Sequence, residues 1–150
     1  MRSLIVAALV GLLAMSGVAA NDEPDVVIGT LFVTYNMGVG SETESKLSAR
    51  FVPVDTHFPA PLNGPEPRQS VRHFNVENAG DVVNGLLGQA ELERLSNDSL
   101  RIVAVPVTAT IKGHRRVIEC DAPADYATLL FVRALKPVQA VSRDDAPIGC

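Results

Sequence analysis

The length and charge of the chain place it among small single-domain proteins. It has 150 residues and a formal net charge of −4, and an acidic protein repels nucleic acid rather than attracting it as its main partner. Trp is absent and aromatic residues make up 5% of the sequence, so a ring-stacking surface for carbohydrate or single-stranded nucleic acid is poorly supported.

The first 20 residues have the layout of a cleaved secretory signal peptide. Arg2 supplies the positive charge, an apolar run covers residues 4–15, and small residues close the segment at Ala19 and Ala20. The apolar run is shorter than the about 20 residues that a membrane span needs. We therefore predict one exported domain over residues 21–150, secreted to a periplasm or outside the cell and not spanning a membrane.

The first half of the mature chain is predicted to be mainly strands. Residues 25–36 and 46–54 are rich in β-branched and aromatic residues, and a glycine-containing polar loop separates them. Residues 53–67 hold five of the ten prolines, which excludes a central strand or a helix interior. This segment is predicted to be a surface excursion, and strand character returns at residues 70–78.

The spacing of the apolar residues then changes from the period of a strand to that of a helix. Over residues 80–95 they recur on one helical face, which predicts one amphipathic helix. Gly85 and Gly88 weaken an isolated helix, and we expect them there because the helix packs closely on a sheet.

The last third is predicted to return to strands. Residues 100–120 fit two strands around a turn at Lys112, Gly113 and His114. Residues 126–138 fit a further strand, although a helix is also compatible with their pattern. The predicted fold class is therefore α+β, with an antiparallel sheet of about five or six strands packed on one helix.

The two cysteines predict one disulfide that staples this fold. Exported thiols meet an oxidising machinery, and two cysteines then usually pair. A bridge between Cys120 and Cys150 would close a loop of about 30 residues and stabilise the protein by roughly 3.5 kcal/mol. The alternative is a reactive thiol or an intermolecular disulfide, but the sequence has no CxxC motif.

Asp55 and His57 are the candidate catalytic or metal-ligating residues. Two positions apart in an extended segment, they lie on one side of the chain and could act with His73 or His114. No HExxH, cysteine–histidine cluster or GxSxG motif accompanies them. We predict no metal and no cofactor.

A basic stretch stands out from the acidic background as a candidate partner-binding surface. It comprises Lys112, His114, Arg115 and Arg116. At a hairpin tip it would form a positive patch that steers an acidic partner, although charges at such a tip also serve only to stay solvated. Alternation predicts that Arg115 and Arg116 point to opposite faces.

Two functions fit these features. The first is a small exported binding module, such as an inhibitor, an immunity-type protein or an accessory protein, that recognises a protein or another envelope or extracellular macromolecule. The absence of a catalytic motif favours it. The alternative is a small secreted hydrolase or metal-dependent enzyme that uses Asp55 and His57 with a further histidine.

Overall fold

The computed structural model describes residues 26–36, 46–59 and 68–147 of the chain. The predicted signal peptide, the loop at residues 37–45, residues 60–67 of the proline-rich segment and Cys150 lie outside the described residues.

Eight strands and two α-helices make up the described chain. The strands are β1 (Val26–Asn36), β2 (Lys46–Pro53), β3 (His57–Pro59), β4 (Arg68–Ser70), β5 (Phe74–Val76), β6 (Ile102–Glu119), β7 (Ala122–Ala134) and β8 (Gln139–Val141). The helices α1 (Ala79–Leu86) and α2 (Gln89–Asn97) lie between β5 and β6.

Five of the strands close into a ring. Six strands form one sheet in the order β1-β2-β5-β7-β6-β8, and β1 pairs with β6 as well as with β2. The ring is therefore β1-β2-β5-β7-β6, with β8 attached to β6, while β3 and β4 form a separate two-stranded sheet. A closed five-stranded barrel of this kind, with its helices between the third and fourth barrel strands, resembles the small Greek-key barrel of the OB fold in its strand order.

The core fills the inside of this barrel. Side chains alternate between inside and outside along each strand, so Leu31, Val33, Phe51 and Phe74 are fully buried while their neighbours face outward. Helix α1 packs against β2 and β7 and adds its own apolar face to the same core.

The α+β class is confirmed, but the sheet is mixed and two helices replace the predicted single helix. Strands β5 and β7 are parallel, because the chain crosses over through the helices and then reverses between the antiparallel strands β6 and β7. The predictions of β1, of β2 and of a strand rather than a helix at residues 126–138 are confirmed. The strand predicted over residues 70–78 is limited to β5 and the end of β4.

The predicted helix is interrupted at Leu87 and Gly88. Both residues have extended backbone angles, with ψ of 139° at Leu87 and 159° at Gly88, so α1 ends before them and α2 begins after them. The expected close packing of Gly85 and Gly88 is wrong, since an added Cβ at either position would meet nothing within 4 Å.

The predicted turn at Lys112, Gly113 and His114 is also wrong. Strand β6 runs through it to Glu119, and the register with β7 shifts between Lys112 and Arg115. The shift inserts one extra residue, which makes a β-bulge at Gly113, where φ is +67°. The chain reverses instead at Cys120 and Asp121, whose φ angles of 47° and 60° suit a tight two-residue hairpin turn.

The predicted disulfide between Cys120 and Cys150 stays a prediction, because Cys150 lies outside the described residues. Cys120 lies at the tip of the β6–β7 hairpin. Neither helix of the described chain has the length and apolar character needed to cross a membrane.

Candidate functional site

A polar cleft of about 570 Å³ opens beside the β6–β7 hairpin. We call it the arginine cleft after Arg50, Arg72 and Arg116, three of its polar lining residues. The other polar residues in its lining are Ser70, His73, Asn75, Glu119, Asp125 and Tyr126. The strand register explains how it forms. Arg50 on β2 pairs with Asn75 on β5, and Asn75 pairs with Tyr126 on β7, so these three side chains point outward side by side.

Arg50 is half-buried in the cleft, and its hydrogen bonds within the described part of the chain go to neutral acceptors. Its Nε donates to Asn75 Oδ1 at 3.2 Å, and its Nη1 donates to the carbonyl oxygen of Pro147 at 2.6 Å. No carboxylate in the described part of the chain forms an ion pair with it. Burial lowers the pKa of Arg50, with Tyr126 opposing, but a guanidinium remains charged at neutral pH.

Arg72 and His73 extend the basic lining toward β4. Arg72 is exposed, and no ion pair joins it to a carboxylate among residues 26–36, 46–59 and 68–147. The pKa of His73 lies below its usual value, first because the ring is partly buried and next because Arg50 is close, while Asp125 acts in the opposite direction. His73 is therefore neutral at pH 7 and contributes a hydrogen-bonding ring rather than a charge.

A buried charge cluster of His114, Asp125 and Arg116 adjoins the cleft, and Asp125 and Arg116 are part of the cleft lining. Arg116 donates to both carboxylate oxygens of Asp125, from Nε at 2.8 Å and from Nη2 at 2.9 Å. His114 Nε2 lies 2.7 Å from Asp125 Oδ1. The His114 ring packs edge-on against Phe74, with centroids 4.9 Å apart. This packing explains why His114 points into the barrel although it lies in a basic stretch.

The cluster keeps Asp125 ionised although its side chain is buried. Burial alone would raise the pKa of Asp125, but the hydrogen bonds from Arg116 and His114 outweigh burial and hold the pKa below its usual value. Because an ionised carboxylate has no proton to give, His114 Nε2 donates in this bond. The charge of Arg116 is therefore neutralised locally.

Arg115 and Tyr126 form the outer wall of the hairpin. Arg115 lies over the Tyr126 ring, 4.4 Å from its centroid, and pairs with Glu77 at 2.7 Å. The Tyr126 hydroxyl donates to Glu119, and this bond, followed by burial, raises the pKa of Tyr126. Arg115 faces outward with Tyr126 while Arg116 faces inward with Asp125, so the prediction that they point to opposite faces is confirmed.

The predicted basic patch is thus not an exposed hairpin tip. Lys112 is exposed, whereas His114, Arg115 and Arg116 are all hydrogen-bonded to acidic side chains. A partner-binding role for these residues stays a prediction, and Lys112 is the member whose position suits it best.

Asp55 and His57 lie apart from the cleft, on an exposed segment. Asp55 Oδ1 accepts a hydrogen bond from the backbone N–H of His57 at 3.0 Å, and it lies 3.6 Å from His57 Nδ1. Among the residues that the structure describes, no group of three His, Cys, Asp or Glu side chains could hold a metal ion. His73 lines the cleft and His114 belongs to the buried charge cluster. Among the described residues, no hydrogen bond or ion pair joins either histidine to Asp55 or His57.

Sequence reasoning missed Arg50 and Arg72, and it considered His73 only as a companion of Asp55 and His57. Alternation along β2 could have placed Arg50 outside the barrel, because Ala49 and Phe51 on either side are apolar. No local signal predicts that β5 lies next to β2. Comparison with protein-family models, with curated proteins and with solved structures finds no match.

Proposed function

We propose that the protein is an exported binding module that recognises an acidic macromolecule through the arginine cleft. The observation that carries this proposal is Arg50, a half-buried guanidinium whose contacts among the described residues are neutral. Withdrawing a charge from water costs free energy unless an opposite charge compensates it. An anionic group on a partner would provide that compensation at Arg50 and at the neighbouring Arg72.

The surroundings of Arg50 favour an anion over other ligands. Arg115 and Arg116 are already paired with Glu77 and Asp125, so neither carboxylate is available to neutralise Arg50. The whole chain is acidic, with a formal net charge of −4. Three guanidinium groups and two carboxylates line the cleft, and this local excess of positive charge on a negative protein favours contact with an acidic partner there.

The position of the cleft agrees with the architecture. OB-fold barrels bind ligands mostly at their second and third strands and at adjoining loops. Arg50 and Asn75 lie on the second and third barrel strands of this chain, β2 and β5. This is an analogy at the level of the fold and supports the location only.

Charge removal with a matched control tests the proposal. Mature protein would be used to capture partners from its native compartment as wild type, as an Arg50→Gln/Arg72→Gln variant and as an Arg133→Gln/Lys136→Gln variant. Arg133 and Lys136 are exposed and lie away from the cleft lining, so both variants lose two positive charges.

We expect the wild type and the control to retain the same partner and the cleft variant to lose it. Hydrogen bonds to charged groups contribute about 1.5–3 kcal/mol each, so the Kd for the purified partner should rise at least about tenfold in the cleft variant. Binding should also weaken as salt rises. Equal losses in both variants, or retention of the partner by the cleft variant, would contradict the proposal.

Because Lys112 is exposed, it can be used to test the basic patch that the sequence predicts. Lys112→Glu reverses a charge without breaking an ion pair recorded among the described residues. If the patch steers the acidic partner, this variant should slow association at low ionic strength. An unchanged association rate would mean that Lys112 only keeps the bulge solvated and does not steer a partner.

A further inference from the structure

The chain segment that follows β8 returns to the arginine cleft. Residues 142–147, Ser-Arg-Asp-Asp-Ala-Pro, contain a single 3-10 turn at Arg143–Asp145 that is held by a 2.6 Å bond between Ser142 Oγ and Asp145 Oδ2. Ala146 is extended, with φ of −96° and ψ of 148°. Pro147, the last described residue of the segment, accepts a hydrogen bond from Arg50 through its carbonyl oxygen.

This segment shares a second cavity with the basic side chains of the cleft. The cavity, of about 420 Å³, lies against Phe32 and Val52 on the outside of the barrel. Its lining includes Arg72 and His73 from the cleft, and Asp145, Ala146 and Pro147 from the segment. An acidic side chain of the segment therefore faces the same space as the basic residues that extend the arginine cleft.

The segment carries two Asp residues, yet its hydrogen bond with Arg50 is accepted by the neutral Pro147 carbonyl, so it leaves the basic surface incompletely satisfied. The group that it offers to Arg50 is a neutral carbonyl, whereas a hydrogen bond from a guanidinium to a carboxylate is roughly twice as strong. Residues 142–145 are exposed, so little apolar burial holds this part of the segment in place. An external acidic peptide can therefore compete with it.

We propose that the arginine cleft binds an extended acidic peptide segment of a partner protein, and that residues 142–147 of the chain occupy part of this surface until the partner displaces them. The inference rests on the proposed function and names the chemistry of the partner. The peptide would place a carboxylate on Arg50 in place of the Pro147 carbonyl and a second carboxylate near Arg72.

Fluorescence anisotropy of a labelled peptide tests the inference on the full mature chain. The probe is the hexapeptide Ser-Arg-Asp-Asp-Ala-Pro, acetylated and amidated, and the control probe carries Asn in place of both Asp residues. The protein variants are Asp145→Ala, which removes the carboxylate that lines the shared cavity, and Asp144→Ala, which removes an equal charge from a residue that does not line it.

We expect Asp145→Ala to bind the acidic probe about two- to fivefold more tightly than the wild type, because the variant lacks a carboxylate that repels the probe in the shared cavity, and one interaction between exposed charges has about this effect. Asp144→Ala should match the wild type within about twofold, since it loses only general charge. Arg50→Gln should lose binding, and the Asn probe should bind weakly to every variant. In the wild type, adding the acidic probe should make the backbone amides of residues 145 and 146 exchange faster with solvent.

Several outcomes would overturn the inference. They are an unchanged affinity in Asp145→Ala, equal binding of the two probes, and tighter binding of phosphatidylglycerol vesicles or a single-stranded oligonucleotide than of the acidic peptide. The proposed function has a separate failure, because it falls only if Arg50→Gln/Arg72→Gln still retains the captured partner. If that variant loses the partner while Asp145→Ala leaves the probe affinity unchanged, the displacement by a peptide is wrong and the binding module stands.

Discussion

Replacing Asp125 by Asn should destabilise the protein strongly and change how its stability depends on pH. The Asp125 side chain is buried, with 6% of the residue exposed, and it accepts three hydrogen bonds from His114 and Arg116. Removing one partner of a buried ion pair costs about 3–5 kcal/mol. Asn keeps one acceptor oxygen, and the Arg116 side chain is 22% exposed to solvent, so we expect a loss of about 2–4 kcal/mol.

The pH dependence follows from the direction of the pKa shift. The pKa of Asp125 is lower in the folded protein than its ordinary value, which is about 3.9. The stabilisation by the ionised carboxylate is therefore fully present above that ordinary value, and it is lost as the pH falls through the folded pKa. The stability difference between wild type and Asp125→Asn should shrink below about pH 4.

Urea unfolding at a series of pH values measures both effects. At pH 7 the midpoint of Asp125→Asn should lie about 1–2 M below that of the wild type, given the usual dependence of free energy on urea. The exposed Asp144→Asn serves as the control and should stay within about 0.5 kcal/mol of the wild type. A difference for Asp125→Asn that is below this limit, or that stays constant from pH 7 to pH 3, would refute the role of the buried charge cluster.

Three further predictions concern Gly29, Asn78 and the predicted disulfide. Gly29→Ala should cost about 1–3 kcal/mol in urea unfolding, because its Cβ would collide with the Phe51 ring and the Val52 carbonyl, while Gly85→Ala, with open space around it, should be neutral or stabilising. Asn78→Ala should cost about 1–3 kcal/mol, since the Asn78 side chain satisfies both the N–H and the C=O of Leu129, and an unchanged melting curve would contradict this. Intact mature protein should weigh two hydrogens less than its reduced form, and free alkylation of both cysteines without denaturant would exclude the predicted disulfide.

The sequence predicts the strands whose pattern is local and dense. Strand β1 carries β-branched or aromatic residues at most positions, and its inward side chains Leu31 and Val33 alternate with outward Thr30 and Phe32. This alternation is sufficient for a strand prediction without knowledge of its neighbours. The same reasoning identifies β7. Its parallel neighbour β5 has only three residues and contributes nothing to this prediction.

The closure of the barrel could not be predicted in this way. It depends on β1 pairing with β6, from the opposite half of the chain, and on the register Leu31 to Val105. Alternation states which side chains of a strand share a face but not which strand lies beside it. The mixed sheet and the cleft depend on two other pairings that alternation leaves open, β5 with β7 and β2 with β5.

The bulge at Gly113 shows why a local signal can support two structures. A glycine with positive φ among charged residues suits a hairpin tip and a β-bulge equally well. Packing decides between them here, because the ring of His114 contacts Phe74 and Phe58 inside the barrel. A hairpin tip at Gly113 would have carried His114 away from both rings.

The arginines of this region show that charge in a sequence and charge on a surface are different quantities. Arg115 and Arg116, in the most basic stretch of the sequence, are paired with Glu77 and Asp125 across the sheet. Arg50 comes from a different strand, and no carboxylate among the described residues forms an ion pair with it. An acidic partner gains most where a cation has no acidic neighbour, because forming that contact breaks no existing ion pair. Partner binding should therefore depend more on Arg50 than on Arg115 or Arg116, although only the latter two stand out in the sequence.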